Sequence, residues 1–218
     1  MWQKFCNWVA KSSRLSFFRN FAPVLKTQTR PMKTISIQQY ESPCGTLLLG
    51  AFEGKLCLCD WTNGWHRTAT ENRLKKLLRA DFVMQPSEIA DAARLQLDEF
   101  FRRQRTAFDL PLLFVGTAFQ KQVWTELLRI PYGTTLSYGE MAQNLGIPKA
   151  VRAVANANGA NPISIIAPCH RVIGSNGTLT GYGGGLEAKR YLLELEGLTP
   201  SPHPTPSSAQ TQRQTRWC

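Results

Sequence analysis

The stretch SYGEMAQNLGIPKAVRAVANANG, residues 137–159, carries the start and stop signals of two short helices. Ser137 followed three residues later by Glu140 is a capping box, which predicts a helix N-terminus. Gly146 predicts the end of that helix, because glycine readily adopts the left-handed conformation that follows a last turn. Pro148 is tolerated in the first turn of the next helix. The stretch therefore predicts a helix-turn-helix with a three-residue turn.

The second helix of this pair has few large side chains. It presents alanine, asparagine and glycine, with Arg152 as its lone long cation after Lys149. Small side chains favour either close approach to another backbone or tight packing on a neighbouring helix, and the pattern leaves both open. A further capping box, Thr117 with Gln120, predicts a preceding helix over AFQKQVWTELLRI that stops before Pro131.

The stretch SIIAPCHRVIGSNG, residues 164–177, places Cys169 directly against His170. Free cysteine has a pKa of about 8.5, so little thiolate exists at neutral pH, and an adjacent imidazole can lower that pKa. Neighbouring residues on a strand point to opposite faces, so His170 reaches the sulfur only if the backbone turns near Pro168. From the pattern alone Cys169 is a buried filler, a metal ligand or a nucleophile.

The first half of the chain has mixed periodicity. Alternation predicts a strand over KTISIQQY, and a turn at Glu53-Gly54 between two apolar runs predicts a β-hairpin. Amphipathic spacing predicts two helices, and a further short strand is predicted near the end of the unit. The stretches concerned are GTLLLGAF and KLCLCDW for the hairpin, TENRLKKLLRA and SEIADAARLQLDEFFRRQ for the helices, and AFDLPL for the last strand. Residues 32–112 are therefore predicted to form a small α/β domain.

Six cysteines stand at positions 6, 44, 57, 59, 169 and 218. A chain of this length does not need a disulfide framework, so we predict free thiols in a reducing compartment. Cys57 and Cys59 are predicted to share one face of their strand. Together with Cys44 and His66 they are candidates for a structural zinc site, but the spacing is not that of a common zinc finger. Ordinary half-buried strand cysteines are the favoured interpretation.

The net charge of +11 is concentrated outside the central region. Residues 1–33 contribute +7, residues 34–199 contribute +2, and the tail contributes +2. Any nucleic-acid contact must therefore come from local placement of charge. Residues 1–31 are interpreted as a targeting segment, a DNA-affine arm or an extension outside the fold. Residues 200–218 are predicted to be disordered. No apolar run has the length of a membrane span, so we expect a soluble protein, cytoplasmic or, in a eukaryote, nuclear.

The segment NPISIIAPCHRVIGSNG, residues 161–177, resembles the active-site signature of the O6-alkylguanine-DNA alkyltransferases, also called methylated-DNA–protein-cysteine methyltransferases, whose core is Pro-Cys-His-Arg-Val. Residues 119–162 resemble the DNA-binding segment of that family, and GYGGGLEAKRYLLELEG, residues 181–197, resembles its substrate loop and closing helix. The resemblance implies a ribonuclease H-like α/β domain over 32–112. It also implies a mostly helical, winged helix-turn-helix catalytic domain over 113–199.

The resemblance implies an activity and assigns roles to residues. Cys169 is expected to accept the alkyl group from O6-alkylguanine, or from O4-alkylthymine, once and irreversibly. His170 is expected to draw the thiol proton through a water, and Glu196 to orient the imidazole. Asn161 is expected to hold the active-site segment, and Tyr138 to donate to the base. No cofactor and no metal is implied.

The same resemblance implies how the substrate is held. Tyr182 and Gly183 are expected to lie over the base, and the carbonyls of Cys169 and Val172 to accept from its amino group. Gly183 stands where some relatives carry serine or alanine, which predicts a wider pocket that tolerates larger alkyl groups. Arg152 is expected to enter the space left by the extruded nucleotide.

Double-stranded DNA is the expected partner, bound through the minor groove by a monomer. The residues expected to contact it are Ser137, Tyr138, Arg152 and Ala153. Two alternatives remain at this stage. One is a binder of alkylated DNA, or a helix-turn-helix regulator, without chemistry. The other is a cysteine hydrolase that uses Cys169 and His170 and turns over repeatedly.

Overall fold

The computed structural model describes residues 33–199, which comprise a four-stranded sheet with two helices and then a mainly helical half. The interpretations of residues 1–31 and 200–218 fall outside these residues. The elements are β1 (Lys33–Ser42), β2 (Gly45–Phe52), β3 (Lys55–Trp61), α1 (Arg67–Leu78), β4 (Ala80–Met84), α2 (Glu88–Phe101), α3 (Ala118–Leu127), β5 (Leu136–Ser137), α4 (Tyr138–Asn144), α5 (Val151–Gly159), β6 (Val172–Ile173) and α6 (Gly185–Leu195). Single 3-10 turns cover Pro148–Ala150 and Cys169–Arg171.

The sheet has the strand order β3-β2-β1-β4. The hairpin β2-β3 and the pair β1-β2 are antiparallel, whereas β4 runs parallel to β1. Glu53 and Gly54 both have positive φ, 47° and 73°. Two consecutive positive φ values are the mark of the two-residue hairpin turn that matches strand twist, so the predicted hairpin is confirmed.

A β-bulge changes the faces of β3. The register of β2 against β3 shifts by one residue, and Cys57 has no partner opposite it on β2. Because a bulge interrupts the two-residue alternation, Cys57 packs in a smaller apolar cluster and Cys59 packs in the main core. The prediction that these two cysteines share one face is therefore wrong.

The predicted strand over 107–112 is also wrong. Only Leu112 forms a bridge, with Leu56. The Leu56 N–H donates to the Pro111 carbonyl at 2.8 Å, and the Leu113 N–H donates to the Leu56 carbonyl at 2.8 Å. Pro111 has no N–H to extend this ladder, so pairing stops there.

Sequence periodicity missed β4 altogether. The predicted helix over residues 70–80 begins earlier, at Arg67, and ends at Leu78. Arg79 then adopts a left-handed conformation with φ of 52°, which turns the chain so that Ala80 pairs with Lys33. The five-residue segment ADFVM shows no clear two-residue alternation, and Pro86 marks only its end, so little local signal predicts a strand there.

The predicted starts of α3 and α4 are confirmed, whereas α3 ends at Leu127, three residues before the predicted end at Ile130. Thr117 accepts from the Gln120 N–H and Ser137 accepts from the Glu140 N–H, and both capping boxes are complete. Gly146 has φ of 73° after α4, as expected of a residue that ends a helix. The structure thus contains the predicted helix pair, α4 and α5. None of the helices between residues 33 and 199 is long and apolar enough to cross a membrane.

The edge of β3 positions the segment that contains Cys169. The Cys59 N–H donates to the Pro162 carbonyl at 2.9 Å, and the Ser164 N–H donates to the Cys59 carbonyl at 2.6 Å. One apolar cluster contains buried side chains of β3, α2, α3, α5 and α6. The core is therefore continuous across residue 112, and a domain boundary there stays a prediction.

Candidate active site

Two tight turns lead the backbone into Cys169. The Ile166 N–H donates to the Ser164 carbonyl at 2.8 Å around Ile165, whose φ is 70°. This is a γ-turn with positive φ, which is rare and strained, above all for a β-branched residue. A second i to i+2 hydrogen bond, from Cys169 N–H to the Ala167 carbonyl at 2.8 Å, closes around Pro168. The backbone thus turns where the sequence required it to turn.

Asn161 holds this strained segment by its side chain. Its Nδ2 donates to the Ala167 carbonyl at 2.8 Å and to the Ile163 carbonyl at 3.3 Å, and its Oδ1 accepts from the Ile163 N–H at 3.0 Å. Asn161 is buried, so these hydrogen bonds are shielded from water. The backbone strain at Ile165 is offset by such fixed polar contacts.

A buried carboxylate lies behind the cysteine. Glu196 Oε1 is 2.7 Å from His170 Nε2, and the guanidinium of Arg171 approaches both carboxylate oxygens at 2.9–3.1 Å. The Gly133 N–H also donates to Glu196 Oε2 at 3.0 Å. Burial alone would raise the pKa of Glu196, but the hydrogen bonds from His170 and Arg171 outweigh it and lower that pKa. Glu196 is therefore an anion whose charge Arg171 neutralises.

This network fixes the protonation of His170. Burial lowers the pKa of His170, although Glu196 acts in the opposite direction, so the imidazole is neutral at physiological pH. A carboxylate only accepts hydrogen bonds, so Nε2 carries the proton and Nδ1 carries a lone pair. Nδ1 is buried and has no hydrogen-bond partner among residues 33–199. His170 is consequently a neutral base with one unused acceptor.

The Cys169 side chain is a thiol in this state. Burial raises the pKa of Cys169 to about 11, although Asn161 and Lys189 act to lower it. The expectation of a thiolate promoted by the adjacent imidazole therefore needs correction, because Cys169 is only 5% exposed and desolvation dominates. Nor is a direct hydrogen bond between Cys169 and His170 present within the described part of the chain. The thiol must lose its proton before it can act as a nucleophile.

Sequence reasoning missed two residues of this site. Arg171 supplies the buried counter-charge described above. Lys189 is fully buried and donates to the Val172 carbonyl at 2.7 Å and to the Thr180 carbonyl at 3.1 Å. Burial lowers the pKa of Lys189 to about 8. Two weak signals were present in the sequence, because Arg171 follows the Cys-His pair of the signature and Lys189 has helical spacing with Leu192 and Leu193. Neither signal distinguishes a buried cation from a solvated one.

A cleft of about 480 Å³ opens beside three predicted substrate residues, Tyr138, Tyr182 and Gly183. The Tyr138 hydroxyl accepts from Thr180 Oγ1 at 3.3 Å. Burial raises the pKa of both tyrosines. The Tyr182 ring centroid is 6.5 Å from that of His170, so the cleft wall lies beside the neighbour of Cys169. The Val172 carbonyl already accepts from Lys189, which leaves it one lone pair for another donor.

The absent side chain of Gly183 makes room for His66. A Cβ at position 183 would lie 2.8 Å from His66 Cε1 and 3.4 Å from Trp61 Cδ1. The glycine thus allows the substrate loop to pack on the loop after β3. The prediction that Gly183 widens the substrate pocket does not follow from this geometry.

The predicted DNA-contacting residues lie on or beside α4 and α5. Arg152 and Ala153 are exposed in the first turn of α5, and Arg152 makes no hydrogen bond or ion pair with any residue between 33 and 199. Ser137 is half-buried and its side chain serves as the N-cap of α4. Val154 and Ala157 are buried on the opposite side of α5, where the Ala157 carbonyl accepts from Trp124 Nε1 at 2.8 Å. The small residues of α5 thus serve packing on one side and leave the other side open.

The four cysteines between residues 33 and 199 are free, and no group of three or more His, Cys, Asp or Glu side chains in that range is placed to hold a metal ion. Cys57 and Cys59 belong to different apolar clusters, as the bulge in β3 requires. Within the described residues, Cys44, Cys57, Cys59 and His66 therefore do not assemble into a zinc site.

Fold and site together define a class of protein in which a cysteine nucleophile is built onto a helix pair of the DNA-binding type. The family model described as 6-O-methylguanine DNA methyltransferase, DNA binding domain, matches residues 118–198. A methylated-DNA–protein-cysteine methyltransferase of Methanosarcina acetivorans is 46% identical over 158 residues, which cover 72% of this chain and 96% of the relative. The chain belongs to the methylated-DNA–protein-cysteine methyltransferase family.

A solved structure agrees with this assignment, and a second one shares the fold. The crystal structure of Mycobacterium tuberculosis OGT in complex with DNA has a TM-score of 0.65 and 43% sequence identity, covering 75% of this chain and 93% of that one. An O6-methylguanine-DNA methyltransferase from Pyrococcus kodakaraensis shares the fold at a TM-score of 0.53, with 24% identity, 75% of this chain and 99% of that chain covered.

Proposed function

We propose that this protein repairs DNA by moving the alkyl group of O6-alkylguanine, and of O4-alkylthymine, onto Cys169 in a single turnover. The observation that carries the proposal is the neutral His170 with a free Nδ1, oriented by buried Glu196 next to a buried thiol. In the reaction the S–C bond forms, the O6–C bond breaks, and the thiol proton passes through a water to His170. The thioether has no route back to a thiol, so each molecule reacts once.

The electrostatics of the site support proton transfer at the moment of reaction. The thiol is protected from solvent and held neutral by burial. When His170 accepts the proton, the imidazolium forms against the Glu196 carboxylate, which stabilises it. The positive charge of Lys189 favours the thiolate that remains. Proton transfer thus converts the buried thiol and the neutral His170 imidazole into an ion pair. The charges of Glu196 and Lys189 stabilise this pair.

The leaving guanine needs a hydrogen-bond donor. The Tyr138 hydroxyl lies in the wall of the cleft and has its pKa raised by burial, so it stays a donor at neutral pH. We assign it the role of donating to the departing base, with the Gly183 N–H toward O6. Gly181 in the substrate loop has no side chain and no atom within 4 Å of the position of a Cβ, which permits close backbone approach there.

We infer that α5 lies in the minor groove and that the protein acts as a monomer on double-stranded DNA. The exposed side of α5 supports this, because Ala153 is small and Arg152 is unpaired within the described residues. A nucleotide must leave the stack before its O6 can reach the cysteine, and Arg152 is placed to fill the gap. Backbone amides at helix starts would position the phosphates.

We also infer the finer fold assignments. The order β3-β2-β1-β4, with β4 parallel to β1, supports a ribonuclease H-like α/β unit. The pair β5-β6 beside α4 supports a winged helix-turn-helix, with Leu136 opposite Val172.

The decisive experiment is the mass of the peptide that contains Cys169 after incubation with DNA carrying O6-methylguanine. We expect a gain of one CH₂ per molecule, with no further turnover when DNA is in excess. Binding of that DNA without any mass gain would support a non-catalytic binder instead. Repeated turnover of ester or amide substrates would indicate a cysteine hydrolase.

Replacement of Arg152 by alanine is expected to slow methyl transfer from duplex DNA by about tenfold or more, since extrusion costs a few kcal/mol. Transfer from the free base O6-methylguanine should change by less than about twofold, because no base has to leave a stack. Single-turnover rates on the two substrates measure the difference, and Lys149→Ala, one turn away in the chain, is the matched control. Equal slowing on both substrates would contradict the extrusion role.

A further inference from the structure

Trp65 is an unusual residue at the mouth of the cleft. It is 78% exposed and lies in the short connection between β3 and α1. It lines the same cleft as Tyr138, Tyr182 and Gly183. A tryptophan ring leaves a large apolar area in water when it is exposed to this degree, and such rings concentrate at binding surfaces. The first half of the chain therefore contributes a wall to the substrate cleft.

The Trp65 side chain packs on a buried neighbour, His66. Its ring meets the ring of His66 edge-on, with centroids 4.8 Å apart and planes at 70°. His66 is only 9% exposed and its Nε2 lies 3.6 Å from Asp60 Oδ2. His66 in turn occupies the space that a side chain at Gly183 would need. The tryptophan is thus presented to the cleft by a buried neighbour.

Glycines bring the two loops together. A Cβ at Gly64 would lie 3.3 Å from the Gly183 carbonyl oxygen, and a Cβ at Gly184 would lie 2.5–2.9 Å from atoms of the Trp61 indole. Larger residues at these positions would push the connection after β3 away from the substrate loop. The close approach sets the Trp65 ring beside the loop that is expected to cover the base.

We propose that Trp65 stacks on the extruded alkylguanine base and is a binding residue for it, a proposal that rests on the proposed function. The ring of Tyr182 on the cleft wall lies with its centroid 6.5 Å from that of His170, the residue after Cys169, so a base in this cleft can present its O6 substituent toward the acceptor. Extruded bases are held by stacking on aromatic faces, and stacking does not depend on which alkyl group is attached.

The test compares Trp65→Ala and Trp65→Phe, with Leu95→Ala as control. Leu95 is an exposed apolar residue of α2, 60% exposed, that does not line this cleft. We expect Trp65→Ala to lower the second-order rate of methyl transfer by about fivefold to a hundredfold, from duplex DNA and from the free base alike. Trp65→Phe should stay within about threefold of wild type, because a ring face remains. Leu95→Ala should not change either rate.

A binding readout accompanies the rates. In Cys169→Ser protein, which cannot transfer, O6-methylguanine duplex should quench tryptophan emission, and the added Trp65→Phe substitution should remove most of the quenching. Loss of rate on the duplex alone would place Trp65 against the DNA backbone and overturn base stacking. Unchanged rates, or quenching that survives Trp65→Phe, would overturn it as well. Absence of methyl transfer to the wild-type protein would refute the proposed function. The quenching experiment would still show whether Trp65 contacts the extruded base.

Discussion

Cys169→Ala is expected to lower alkyl transfer by at least about a thousandfold, which is the effect of removing a nucleophile that acts with a base. The two other buried thiols between residues 33 and 199 are not poised to replace it. Cys59 is fully buried in the main core, and burial raises its pKa far above the usual range. Cys57 packs in the smaller cluster, and burial raises its pKa to about 12. The measurement is incorporation of methyl from O6-methylguanine duplex into the protein, counted per molecule.

Affinity for the duplex should stay within about threefold in the same variant, since phosphate contacts carry most of the affinity for DNA. Cys169 is buried, and the exposed surface of α5 does not depend on it. Cys44→Ala is the matched control, because Cys44 is a half-buried free cysteine and should leave transfer unchanged. Stoichiometric methylation of Cys169→Ala protein would assign the acceptor to another residue.

Local signals were sufficient to predict the starts of α3 and α4 and the end of α4. The capping boxes at Thr117 and Ser137 and the stop at Gly146 are each contained within a few residues. A cap depends on hydrogen bonds between near neighbours in the chain, so the sequence alone specifies it. The hairpin turn at Glu53 and Gly54 likewise depends on adjacent residues, so the sequence predicts it as well.

Features that depend on distant contacts were not predictable in this way. The bulge at Cys57 lies in the pairing of β3 with β2, and β3 also bridges Ile163 of a segment about a hundred residues away. The thiol state of Cys169 results from burial by several elements, which no neighbour in sequence reveals. Arg171 could not be assigned as the counter-charge of Glu196, because the two are 25 residues apart. Burial and long-range charge pairing are properties of the fold.

Glu196→Gln is expected to lower the free energy of unfolding by about 3–5 kcal/mol, the usual cost of breaking a buried ion pair from one side. The guanidinium of Arg171 would then stay buried without a counter-charge, and the Gly133 N–H would lose an ionised acceptor. Urea denaturation measures the change. Glu194→Gln, on the exposed side of the same helix end, is the control and should stay within about 0.5 kcal/mol of wild type.

The pH dependence of stability tests the same carboxylate. The pKa of Glu196 is lower in the folded protein than its ordinary value of about 4.3. A lowered pKa contributes stability that is complete above the unfolded value and is lost as the pH falls below it toward the folded pKa. Wild type should therefore lose stability more steeply than Glu196→Gln between about pH 5 and pH 3. Parallel curves for the two proteins would contradict an ionised Glu196.

A double variant separates the structural role of Glu196 from its effect on the reaction. Adding Arg171→Met to Glu196→Gln removes the uncompensated charge, so part of the lost stability should return. Transfer should not return, because His170 Nε2 still faces an amide instead of the anion that orients it and stabilises its protonated form. Transfer rates are measured under conditions in which each protein is folded. Recovery of both stability and transfer would mean that Glu196 only neutralises Arg171, and that the imidazole acts without its carboxylate.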